Sequence, residues 1–171
     1  MTEFDIQDSL FKKFLTLDDF ARENGYTGEP FLDKVEVKTS EESVGKTLYE
    51  KVVNGEIVYK NVHFPNIPFE LPNQGGWFDL TFRNNEPETA AITKDAQNRF
   101  TGVLYIDIYS PTDSGEAEVR NKYEWIARLF ERDLYFDDVV IMRCYISTKG
   151  NDAVSYRLQA AVEWTADIDK E

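Results

Sequence analysis

The alternation of apolar and polar positions is sharpest between Arg99 and Arg132. Phe100, Gly102, Leu104, Ile106 and Ile108 form one mainly apolar face, and Thr101, Val103, Tyr105, Asp107 and Tyr109 form the other, which is the period of a pleated strand. Ser110-Pro111-Thr112-Asp113-Ser114-Gly115 then breaks the pattern, because proline donates nothing to a sheet ladder and Asp or Ser accepts from the free N–H groups of a following helix. A helix is expected from Gly115. Val119, Tyr123, Ile126, Ala127 and Phe130 share one of its faces, which must be buried. Glu116 with Arg120, Glu118 with Lys122 and Glu124 with Arg128 are acid-before-base pairs four apart, worth about 0.3 kcal/mol each on a solvated face.

Ile6, Leu10, Phe14 and Leu17 give a helical stripe to the first segment. Thr16 and Asp19 have capping-box spacing and Gly25 suits a left-handed stop, so a short second helix, or a kinked continuation, is expected from Leu17 to Asn24. From Tyr26 to Lys60 the pattern is weakest, with a strand at Val35 to Lys38 and a charged Thr39 to Ser43 segment. Within it Val52 to Tyr59 reads as a protruding hairpin turning at Asn54-Gly55, since Asn-Gly takes the positive φ angles of a two-residue turn. Phe64 to Pro72 is too rich in proline for a central strand and reads as an extended segment laid across the domain by its aromatics.

Trp77 to Arg83 alternates with Phe78, Leu80 and Phe82 inward and should pair with the strand after Arg99. The polar connection between them, Asn84 to Asn98, is far longer than a hairpin loop, and such loops in compact domains are functional or disordered. It is the best candidate binding element. Asp137 to Ser147 reads as a strand with its even positions apolar, Thr148 to Asp152 as a turn, and Val154 to Trp164 as its antiparallel partner, ahead of a frayed acidic tail from Ala166 to Glu171. The order predicts one α+β domain over residues 1–171: a single mixed or antiparallel sheet, an N-terminal and a central amphipathic helix packed on it, and a β-hairpin extension.

Composition changes this picture little. One domain suits 171 residues, and a core of that size needs no disulfide. The single Cys144 lies in an apolar strand and reads as a small buried hydrophobe, while the lone His63 lacks companions for a zinc site. No apolar run is long enough to cross a bilayer, and the N-terminus lacks signal-peptide character, which predicts synthesis in the cytosol. A net charge of −13 argues against a protein that grips nucleic-acid backbones, since phosphate binding is driven by Lys and Arg. There is no Gly-x-Gly-x-x-Gly or P-loop pattern, and His63 has no nucleophile-elbow serine to serve. Asp79 and Asp107 on neighbouring strands form an imaginable carboxylate pair, but acids are so abundant that the signal is poor. No enzyme, cofactor or metal is expected.

The order of Asn61-Val62-His63-Phe64-Pro65-Asn66-Ile67-Pro68-Phe69, Gly76-Trp77-Phe78-Asp79-Leu80-Thr81-Phe82, the Arg99 to Pro111 strand, the Gly115 helix and Tyr156 to Trp164 resembles the tail terminator (tail completion) proteins of long-tailed bacteriophages, of the lambda type. The resemblance implies a structural virion protein of the tail and neck, assembled in the host cytoplasm. It implies a ring, usually of six subunits, that caps the last ring of the tail tube, stops polymerisation and offers its other face to the head connector or stopper. DNA would pass through the lumen without specific binding, repelled by acidic walls. The loop that projects in that family corresponds to Asn84 to Asn98, so Asn85, Glu86, Glu88, Thr89, Ile92, Lys94, Asp95 and Arg99 are the candidate contacts with the tail tube protein. The Asn54-Gly55 hairpin departs from the family pattern and is a candidate extension contact with a neighbour or connector. The rivals are another head–tail neck or stopper component, an acidic hydrolase using Asp79 and Asp107, and a plain acidic interaction module.

Overall fold

The computed structural model describes residues 2–37, 45–86, 88–89, 98–111, 115–151 and 155–168. In chain order these form α1 (Glu3–Phe14), α2 (Leu17–Glu23), β1 (Lys34–Glu36), α3 (Leu48–Val53), β2 (Ile57–Tyr59), β3 (Val62–His63), β4 (Trp77–Asn84), β5 (Glu88–Thr89), β6 (Asn98–Pro111), α4 (Glu116–Leu129), β7 (Tyr135–Phe136), β8 (Val139–Asn151) and β9 (Ser155–Ile168). The α+β expectation holds. A seven-stranded mixed sheet runs β3-β4-β6-β9-β8-β7, with β5 beside β6, and β1 and β2 make a separate antiparallel ribbon. Among the described residues of this sheet, only the β3–β4 pairing is parallel.

β6 and β9 are the spine. Their ladder runs from Asn98↔Ile168 to Pro111↔Ser155, so Leu104, Ile106 and Ile108 share a face with Leu158, Ala160, Val162, Trp164 and Ala166, all buried. β4 adds Phe78 and Leu80 to it in register, as the alternation predicts. α4 lies on this face through Val119, Ile126 and Leu129, and α1 beside it through Ile6, Leu10 and Phe14, whose ring meets Phe78 edge to face. Gly115, at φ +76°, precedes α4 as expected. β6 nevertheless runs on through Pro111, whose missing N–H is tolerated at a strand end.

Two of the three helix ion pairs form, Glu116 with Arg120 at 2.7 Å and Glu118 with Lys122 at 3.1 Å. Lys122 is buried rather than solvated, its ammonium 5.4 Å from the Phe78 ring centroid, and Arg128 lies over Trp125 at 4.3 Å instead of pairing with Glu124. Phe64 reaches back to Phe11, Tyr49 and Tyr59, so the proline-rich segment is held across the core by an aromatic, as expected.

Several local expectations are corrected. Thr16 makes no side-chain cap to α2; Asp18 instead accepts from the N–H groups of Phe31 and Leu32, while Gly25 does adopt the left-handed stop at φ +94°. The capping boxes lie elsewhere, Thr2 with Asp5 on α1 and Thr47 with Glu50 on α3. Thr2→Ala should therefore lower stability by about 1 kcal/mol, and a smaller urea midpoint with unchanged slope is the expected reading.

No hairpin turns at Asn54-Gly55. Asn54 is the C-cap of α3 and Gly55, at φ +74°, carries the chain out of that helix, so β2 pairs with β1 across a sequence gap that includes α3. The tight two-residue turn is at Asp137 and Asp138, with φ of +45° and +62°, between β7 and β8, where the sequence pattern implies continuous strand. In β8 the odd residues Val139 and Ile141 are buried, and an extra residue at Met142 then switches the parity so that Cys144 packs against the core. Burial pushes the Cys144 thiol up to about 12, in keeping with an inert side chain. β8 continues through Lys149 and Gly150, residues expected in a turn, and Ala166 is buried in β9 rather than frayed. The expected Thr39 to Ser43 segment lies outside the described residues, as do residues 152–154 and 169–171.

Candidate functional site

Opposite the core, the sheet presents a face of polar and aromatic side chains. The register sets them in rows: Trp77, Tyr109 and Arg157; then Asp79, Asp107 and Gln159; then Thr81, Tyr105, Ala161 and Tyr145; then Arg83, Val103, Glu163 and Arg143. Trp77 stacks on Tyr109 at 4.5 Å and 7°, and Ala161 is fully buried between the two tyrosines of its row. Charges on this face are matched across strands. Arg157 Nη2 lies 2.7 Å from Asp107 Oδ1, to which Arg157 Nε also donates at 2.9 Å and Gln159 Nε2 at 3.1 Å. Arg143 Nη2 donates to Glu163 Oε1 at 2.9 Å and the Tyr145 hydroxyl to the same oxygen at 3.1 Å.

These pairings set the titration behaviour. The bonds from Arg143 hold the Glu163 carboxyl below the usual range, and those from Arg99 do the same for Asp167. Burial raises Asp79, partly offset by His63, whose Nδ1 is 3.3 Å away and whose ring stacks on Phe69. The register does set Asp79 opposite Asp107, so the imagined carboxylate pair is adjacent. Asp107, however, is buried and engaged by Arg157 and Gln159, an arrangement that holds strands together rather than leaving a base open to substrate. Among the described residues no cluster of His, Cys, Asp and Glu fits a metal ion.

The long connection after β4 is shorter than its composition implies. Asn85 donates its backbone N–H to Thr101 O at 2.8 Å and its Nδ2 to Thr101 Oγ1 at 3.1 Å. Glu88 and Thr89 then pair with Arg99 and Asn98. The outer chain thus gains one residue on β6 between Asn84↔Gly102 and Glu88↔Arg99, a bulge, and residues 90–97 lie outside the described residues. Arg99 donates from Nε and Nη2 to Asp167 at 2.8 and 3.0 Å, tying β6 to β9 at the base of this arm. Asn85, Glu86 and Arg99 are exposed there; Ile92, Lys94 and Asp95 lie outside the described residues. Asn54 and Gly55 sit at the end of α3 and are not part of the arm.

Sequence pattern alone did not pick out Arg157, Gln159, Arg143, Glu163 and Asp167. The signal was the polar half of β9, where Arg157, Gln159 and Glu163 alternate with the core residues, but their partners are named only by the register with β6 and β8.

A family model described as phage tail terminator protein matches residues 56–164, which span β2 to the centre of β9. One solved structure is similar over 72% of this chain and 88% of its own, with 16% identity and a TM-score of 0.47. No curated protein matches. No described helix is long and apolar enough to cross a membrane.

Proposed function

From the premise that this chain belongs to the phage tail terminator family, a family of structural tail proteins, we propose that it forms a ring that ends the tail tube. Six copies, the usual number in the family it resembles, would seat on the last ring of tube subunits, halt polymerisation and offer the opposite face to the head connector or stopper. The observation that carries this reading is the extent of the family match, which takes in the whole β4–β6–α4 unit and the connection between β4 and β6.

The arm from Asn85 to Arg99 is the proposed tube contact. Its base is held in register by the Asn85–Thr101 and Arg99–Asp167 bonds, so a tip of residues 90–97 would be carried on a rigid stem. Replacing residues 90–97 with Asn-Gly should leave the urea midpoint near that of the parent and abolish capping of isolated tail tubes. A truncated chain that caps tube ends as well as the parent would overturn the assignment.

DNA would then move through the lumen unheld. Arg157, Arg143 and Arg99 each hold a carboxylate, and the chain carries 32 acidic residues against 19 Lys and Arg, which leaves little cation to collect phosphate. Low-salt gel shifts with double-stranded DNA should show no salt-sensitive complex; a tight one would contradict this.

A further inference from the structure

The two margins of the sheet are unfinished in complementary ways. β7 and the Asp133–Leu134 segment cover the outer side of β8 only as far as Ile141, and among the described residues no strand pairs with that side from Met142 to Asn151. At the opposite margin β3 covers β4 at Phe78 and Asp79, and no described strand pairs with its outer side from Leu80 to Asn84. Outward-facing N–H and C=O groups along such a margin are a template for another strand. Bulges, Lys and Pro usually guard it. In β8 the bulges fall at Met142 and Ser147 and bracket a regular run, Arg143 to Ile146, with Lys149 beyond it; in β4 no Lys or Pro stands between Leu80 and Asn84.

We infer that neighbouring copies in the proposed ring join by continuing the sheet, the Arg143–Ile146 edge of one copy pairing with the Leu80–Asn84 edge of the next. Two observations converge on a second copy as the occupant. First, β4, β6, β9 and β8 are successive antiparallel neighbours, so the two margins run in opposite directions. A copy placed alongside with its sheet in the same sense therefore brings its β4 antiparallel to β8, and the ladder goes on without a break. Second, Met142 and Ile146 are 48% and 42% exposed on the free margin, apolar area that a neighbouring strand would cover.

Because the two edges differ, the contact is heterologous and propagates in one rotational sense until it closes. The helices would then lie on one side all the way round and the Asp107–Arg157 face on the other. The inference rests on the ring reading but is separable from it.

The test uses the full chain with Cys144→Ala, which removes the sole cysteine. Adding Thr81→Cys and Tyr145→Cys together should give, with a bismaleimide, a ladder of cross-linked species extending past the dimer, whereas either single cysteine should give none. Dimers cross-linked through Tyr145→Cys alone would overturn the inference, since the edge would then be meeting itself. So would a double-cysteine chain that has ring mass yet stays uncross-linked, a result that leaves the ring itself standing. A chain that is monomeric at every concentration and ignores tube ends would remove both.

Discussion

Trp164→Ala should destabilise the protein by about 3–5 kcal/mol, the range for deleting a large aromatic from a packed interior. Trp164 is 1% exposed and stacks on Phe82 at 5.4 Å and 8°, at the point where β9, β6 and β4 lie side by side. Gly102 makes that stack possible. It pairs with Asn84 on one side and Trp164 on the other, and a Cβ there would stand 2.2 Å from Arg83 O and 2.5 Å from the Trp164 ring. With a denaturant slope of about 2 kcal/mol/M, the urea midpoint should fall by about 1.5–2.5 M. The indole N–H is buried with no hydrogen-bond partner among the described residues, so Trp164→Phe sheds an unsatisfied donor and should retain most of the stability. A Trp164→Ala midpoint within about 0.5 M of the parent would mean that this end of the sheet is not packed as described.

Arg157→Met should be the next most damaging change, costing about 2–3 kcal/mol at neutral pH, less than the 3–5 of a fully buried pair because Arg157 is itself half-exposed. Its removal leaves the buried Asp107 carboxylate with Gln159 alone and with Asp79 across the ladder. Adding Asp107→Asn should recover part of the deficit at pH 7, because the buried carboxylate left without its cation is then gone. No recovery would place the cost in lost packing instead. Arg143→Ala, on a far more exposed pair, should cost no more than about 1 kcal/mol.

The contrast between those two pairs also shows what can be read in the amino-acid sequence and what cannot. β6, α4 and the core half of β9 declare themselves because one buried face imposes a period of 2 or 3.6 over many residues. Asp107 and Arg157, fifty positions apart, meet only because the β6–β9 register sets them in adjacent rows, and nothing local to either records that register. β8 misleads because a single extra residue at Met142 exchanges its faces, so its even residues look apolar while Val139 and Ile141 fill the core. Asn54-Gly55 misleads for a different reason: a residue that accepts positive φ serves a helix stop as well as a hairpin. The Thr47-x-x-Glu50 box just upstream held the deciding signal. At the arm, the long polar connection was legible, but Glu88 and Thr89 have no apolar partner pattern, so their pairing with β6 was not.

Light scattering of the purified chain, with negative-stain imaging alone and beside isolated tail tubes, tests the terminator reading most directly. The account predicts a discrete multiple of the 19.8 kDa chain, rings in the images, and caps at tube ends. A monomer that leaves every tube end bare would contradict it.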